Sequence, residues 1–188
     1  GLSPWLPAQN WFAPAADSMA AHTVAAPHSA QGSQPVQPQL VQAPHGSIWV
    51  VWRRLLPSGQ GNLYYQLVDS AGTPQLAADG LGLSPQQANQ GAYQVVGDGA
   101  GGFWVAWQDG RLQPPSIYVQ HVDSTGALQL QPDGQLLRLA TGPQKGLALA
   151  QDGHGGEYIG WEETADPTEA ELAAYDPFAQ NPCPKPAP

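Results

Sequence analysis

The sequence has 188 residues with a formal net charge of -9 and only six Lys and Arg, a balance that speaks against nucleic acid, whose affinity comes largely from basic contacts to phosphate. Only 11% of the residues are charged, while 22 Gly and 20 Pro suit turns and extended chain rather than helices. No apolar run approaches the roughly 20 residues of a membrane helix, and the length fits one domain of ordinary size.

Residues 1–38 read as an extended arm, and the composition continues to about residue 46. Residues 1–46 hold seven Pro, one acid (Asp17) and no Lys or Arg, which favours polyproline-like or irregular chain. Such a segment builds no core, so its order depends on docking. Trp5, Trp11 and Phe12 are the expected anchors, on the chain's own sheets or on a partner. The chain begins Gly-Leu-Ser, which fits a removed export signal and a proteolytic fragment equally.

Beyond the arm one phrase is written three times. IWVVW at residues 48–52 returns as FWVAW at 103–107 and as EYIGW at 157–161. LYYQLVDSAG at 63–72 returns as IYVQHVDSTG at 117–126, and the Gly-rich turn of residues 98–102 returns at 152–156. Self-similarity at a period of about 50 marks propellers and related arrays. Each period holds four short strands, in the central copy residues 92–96, 102–108, 116–123 and 135–140, separated by Gly, Asp, Pro and Ser. Four such strands in chain order make a meander, the unit of a propeller blade. At Asp69-Ser70-Ala71-Gly72 and Asp123-Ser124-Thr125-Gly126, Asp opens a turn and Gly closes it with positive φ.

In FWVAW, Phe103, Val105 and Trp107 point to one face and Trp104 and Ala106 to the other, so both faces are apolar, as a sheet between two neighbours requires. The expected architecture is all-β: a propeller-like stack of four-stranded antiparallel blades, with repeats at 39–91 and 92–145 and part of a third at 146–163. Residues 164–188 form a short helix and a Pro-rich tail: Asp166 caps, Pro167 takes the first helical position, Glu169 reaches back, and Asp176-Pro177 ends the helix. Cys183 is the one cysteine, so an internal disulfide is impossible, leaving an intermolecular bond or a leftover thiol.

Closing a four-bladed ring at this period takes about 216 residues, so the stack is expected to end on open faces and edges that native proteins cover. Copies of the chain completing a ring, partner chains capping the stack, and membership of a longer protein all satisfy that need.

Catalytic and metal signatures are weak. The turns at Asp98 and Asp152 each offer one carboxylate, where calcium takes six to eight oxygens. The five His never fall at zinc-like spacing. The acids between residues 157 and 176 read as a solvated face rather than a glycosidase pair across a cleft. There is no GxSxG elbow and no phosphate loop with its Lys. No cofactor, no metal and no catalytic residue is expected. A lectin is the sharper competitor, with Trp107, Asp109 and Arg111 as its candidate sugar site, although Trp52 and Trp161 are followed by Arg53-Arg54 and Glu162-Glu163 instead.

The phrase DGxGGxxVAWxDxR followed by IYxQxVDxxG resembles repeats of large secreted or surface-attached bacterial proteins with predicted β-propeller folds. The resemblance covers about residues 41–163 and is best at 98–126. The first copy departs from it, with Ala43-Pro44-His45-Gly46 for the Asp-Gly turn and Arg53-Arg54 for the acidic strand end. The third copy ends in Glu162-Glu163 and leaves the repeat. The resemblance implies adhesins, scaffolds or appended modules of exported enzymes. The resulting expectation is an exported, non-enzymatic scaffold or adhesion subunit whose protein partners, or further copies, complete the stack. A glycan-binding lectin and a non-catalytic fragment of a larger secreted enzyme are the alternatives.

Overall fold

The computed structural model describes residues 33–86 and 88–164. Trp5, Trp11 and Phe12, the helix expected from Asp166, the tail and Cys183 lie outside the described residues.

The described chain is all-β. Its ten strands are β1 (Gln34–Gln42), β2 (Ile48–Leu55), β3 (Gly61–Val68), β4 (Leu81–Gly82), β5 (Gln90–Gly97), β6 (Phe103–Asp109), β7 (Ser116–Val122), β8 (Gln135–Arg138), β9 (Gln144–Gln151) and β10 (Glu157–Glu163). They form three antiparallel sheets, ordered β1-β2-β3-β4, β5-β6-β7-β8 and β10-β9, and close neither a barrel nor a propeller ring. A 3-10 turn at Pro44–Gly46 joins β1 to β2, and no α-helix occurs among the described residues.

The four strands expected in the central repeat are all present, shifted by two residues or fewer at their ends. The first strand of each sheet is where the boundaries differ. β1 starts at Gln34, inside the stretch whose composition reads as arm, and β5 and β9 start at Gln90 and Gln144, inside the preceding repeats. For β5 and β9 the reason is that Gln is buried backbone-pairing chain there rather than solvated loop, Gln90 being 0% and Gln144 7% exposed; Gln34 at the start of β1 is exposed and is held by pairing with Leu55. The Gln90 carbonyl accepts from Arg53 Nε of the first sheet (2.6 Å), and the Gln144 carbonyl accepts from Gln108 Nε2 of the second.

The sheets stack face to face. Trp49, Val51, Leu63 and Tyr65 of the first sheet pack on Tyr93, Phe103, Val105, Trp107 and Tyr118 of the second in one buried cluster. Ala106 and Ile117, on the second sheet's other face, meet Leu147, Leu149, Ile159 and Trp161 of the third. A buried aromatic of this size removes about 200 Å² from water, worth on the order of 5 kcal/mol before entropy. Trp49, Trp52 and Trp107 are fully buried, while Trp104 and Trp161 are half-buried.

Buried connections have no water to satisfy them, and buried Gln side chains do so instead. Gln66 and Gln120, 54 positions apart and both 0% exposed, make the same three bonds. Gln120 Nε2 donates to the Gln131 carbonyl (2.8 Å), and its Oε1 accepts from His121 N (3.0 Å) and Leu130 N (2.9 Å). Gln66 does likewise with Ala77, Leu67 and Leu76. Each thereby pins the link between third and fourth strands. Gln120→Leu leaves these groups unpaired and is expected to lower unfolding free energy by about 3 kcal/mol in urea titrations; a loss under about 1 kcal/mol would show that water replaces the side chain.

Candidate functional site

The three residues singled out as a possible sugar site, Trp107, Asp109 and Arg111, do come together. Alternation along β6 puts Trp107 and Asp109 on one face, and the turn after the strand returns Arg111 to it. Trp107 Nε1 donates to Asp109 Oδ2 (2.8 Å), and Arg111 donates from Nε to Oδ1 (2.8 Å) and from its terminal nitrogen to Oδ2 (2.6 Å). The guanidinium lies 4.1 Å from the centre of the Tyr118 ring, and Trp107 stacks on the same ring at 6.1 Å. Trp107 and Asp109 are both 0% exposed, so neither offers a face or an oxygen to a ligand. Burial works against the Asp109 carboxylate, but the bonds from Arg111 and Trp107 outweigh it and hold its pKa below the usual range. The cluster is a closed internal ion pair.

The first sheet builds the same corner with one part missing. Trp52 stacks on Tyr64 at 6.1 Å and 24°, where Trp107 stacks on Tyr118 at 26°. Arg54 lies 3.8 Å over Tyr64 and donates to the Asp79 carbonyl (2.8 Å), as Arg111 does to that of Asp133 (3.0 Å). Strand pairing sets Arg54 opposite Asn62 and Asp109 opposite Ser116, so Arg54 occupies the backbone position of the carboxylate. Its guanidinium therefore arrives without the acid. Trp52 Nε1 and Arg54 Nε are buried donors with no acceptor among the described residues. A cavity of about 290 Å³ lined by Asn62, Leu63, Tyr64, Gly82, Ser84 and Pro85 opens beside the Tyr64 ring. No described strand stacks on this face, which carries Ile48, Val50, Trp52, Tyr64 and Val68.

At the other end of the stack, β10 is the last described strand and pairs, among the described residues, with β9 alone. β2 and β6, its counterparts, each pair on both sides. Tyr158 stands 70% exposed where Trp49 and Trp104 reach across to the next sheet. Glu163, two residues beyond Trp161, is held by Arg138 (2.8 Å) and by Thr141 N (2.8 Å). Burial opposes its charge, but these bonds and that of Gln144 bring its pKa down to about 2. At Glu157 burial, with Asp152 nearby, outweighs the bond from its own backbone N–H and pushes the pKa up to about 7.

Each Asp-Gly turn ties one carboxylate oxygen to its own backbone, and Asp98 Oδ2 pairs in addition with His121 Nε2 at 2.9 Å. Asp98 Oδ1 accepts from Ala100 N (2.7 Å) and Gly102 N (2.9 Å), and Asp152 Oδ1 from His154 N (2.7 Å) and Gly156 N (2.9 Å). Among the described residues no group of three His, Cys, Asp or Glu could hold a metal ion. No helix there is long and apolar enough to cross a membrane. The unfilled corner at Trp52 and Arg54 was not legible from sequence; its one signal was the basic pair after Trp52 where the repeat has an acid.

Two predictions follow from these pairings. Asp109→Ala strands the Arg111 charge and the Trp107 N–H in the interior and is expected to cost about 3 kcal/mol in chemical unfolding, whereas Arg54→Ala removes a cation that has no carboxylate and costs clearly less; equal losses would refute the distinction. Glu157 has a folded-state pKa above its ordinary 4.5, so the folded chain holds that proton more tightly and its contribution to stability falls as pH rises from about 4.5 to 7. In thermal melts Glu157→Gln should therefore exceed the parent chain in stability above pH 7, the gap closing toward pH 4.5; a gap independent of pH would count against it.

No protein-family model matches this chain, and neither a curated protein nor a solved structure matches it.

Proposed function

We propose that this chain is an exported, non-enzymatic β-repeat scaffold or adhesion subunit of propeller-like design, which docks onto other chains of a larger surface or envelope assembly. The observation that carries this reading is the unfinished third sheet. Among the described residues two sheets have four strands each and the third has two, so no described strand pairs with the outer edge of β10, and Tyr158 is 70% exposed. Exposed sheet edges recruit strands, and native proteins cover them. The resemblance of residues 41–163 to repeats of secreted bacterial proteins supports the same reading. A sugar site at Trp107 draws no support from a ring that is fully buried with its N–H already bonded.

The test is native mass spectrometry of the full chain over a range of concentrations. A mass above the 19.8 kDa of one chain is expected, returning to that value in Tyr158→Asp, which puts a charge on the open face. A parent chain that stays monomeric at every concentration overturns self-assembly through this face.

A further inference from the structure

We infer that the outer face of the first sheet, on which no described strand stacks, carries a carboxylate-binding site at Trp52 and Arg54. The inference rests on a comparison of the molecule with itself and stands apart from the assembly reading. In the second sheet one carboxylate, that of Asp109, receives the indole N–H of Trp107 and two N–H groups of Arg111. The first sheet keeps the stacked Tyr, the guanidinium over it and the carbonyl that the guanidinium grips. It lacks the acid. Buried N–H donors almost always find an acceptor, and leaving one unpaired is destabilising. Here two such donors, Trp52 Nε1 and Arg54 Nε, sit on neighbouring same-face positions of one strand.

Charge points the same way. Arg111 has Asp109 as a salt-bridge partner, while Arg54 forms none among the described residues, in a chain with 15 acids. The one acid at this corner is Asp79, which offers Arg54 its backbone carbonyl. Its counterpart Asp133 stands beside Arg111 in addition to Asp109, so a bound carboxylate brings the first corner to the charge of the second. Trp52 itself is fully buried, so a ligand reaches its N–H by way of Arg54 and Tyr64, which stay partly exposed beside it. Arg with an indole N–H is a pairing that recognises the flat, two-oxygen carboxylate by charge-assisted bonds. The ligand is a carboxylate, free as a small acid or carried by a polypeptide terminus or acidic side chain.

The experiment uses nitrogen-15 NMR of the full chain, following the indole N–H of Trp52 assigned through its own ring and backbone correlations. Sodium acetate is titrated against sodium chloride of equal ionic strength. In a second arm, a short peptide ending in a free carboxylate is compared with its C-terminal amide. A saturable downfield shift of the Trp52 signal with acetate, with the acid peptide, or with both, supports the site, and the arm that responds tells a small acid from a polypeptide source. The shift should vanish in Arg54→Met, whose fold is checked by the unchanged signals of Trp107. No movement in either arm, equal movement with chloride, or a shift that survives Arg54→Met overturns the inference.

Discussion

The stack is held in register by an indole N–H that crosses from one sheet to a glycine carbonyl in the next. Trp49 Nε1 donates to Gly101 O and Trp104 Nε1 to Gly155 O, both at 2.8 Å. The acceptor turn is made for it. Asp98 and Asp152 tie up the N–H groups inside their own turns, and Gly101 and Gly155 take φ values of 100° and 95° that other residues rarely adopt. At Gly101 a Cβ would also come within 2.7 Å of Pro44, so side chains are excluded by contact as well as by conformation. One phrase thus encodes both partners of a contact, the turn facing backward and the Trp facing forward. That is why Trp and turn recur at one period. The first sheet, with no described sheet before it, has Pro44-His45 in place of the Asp-Gly turn, where no described Trp needs a carbonyl.

Burying both faces of a sheet creates a second demand, since every polar group between sheets must find a partner inside the protein. Gln meets it here because one carboxamide both donates and accepts. Gln120 holds its own connection, as Gln66 does on the outer face of the first sheet, Gln108 bonds the next sheet's backbone, and Gln90 Oε1 accepts from Leu63 N at 2.6 Å in the sheet before, while Gln90 Nε2 has no partner among the described residues. Apolar bulk supplies most of the attraction between sheets, and these bonds fix the register.

What could be read from the sequence follows from this division. The strands of residues 92–140 were legible because Trp, Val and Tyr alternate with apolar residues on both faces, a pattern with few other solutions. The turns were legible because Asp and Gly have fixed geometric roles there. The Gln residues were not, since buried and solvated Gln look alike in one dimension; β5 and β9 accordingly began earlier than the composition indicated. Asp109 and Arg111 were visible as a polar pair beside a Trp. Whether that pair served a ligand or closed on itself depended on burial, which no local pattern encodes.

Three versions of one corner explain how the ends of the stack differ. Trp107 meets Asp109, which meets Arg111, and the charges cancel within one sheet. Trp161 is followed by Glu163, whose partner Arg138 belongs to the sheet before, so there the ion pair ties two sheets together. Trp52 is followed by Arg54, and the charge is left over. At the opposite end the outward position that donates in Arg53 and Gln108 is held by Glu162, which can only accept and which pairs loosely with Lys145 at 3.4 Å. One end of the stack therefore presents spare donors and the other spare acceptors. A contact joining the two ends would reverse the direction of the hydrogen bond that Arg53 and Gln108 make within the chain, so the internal interfaces are no template for the external one.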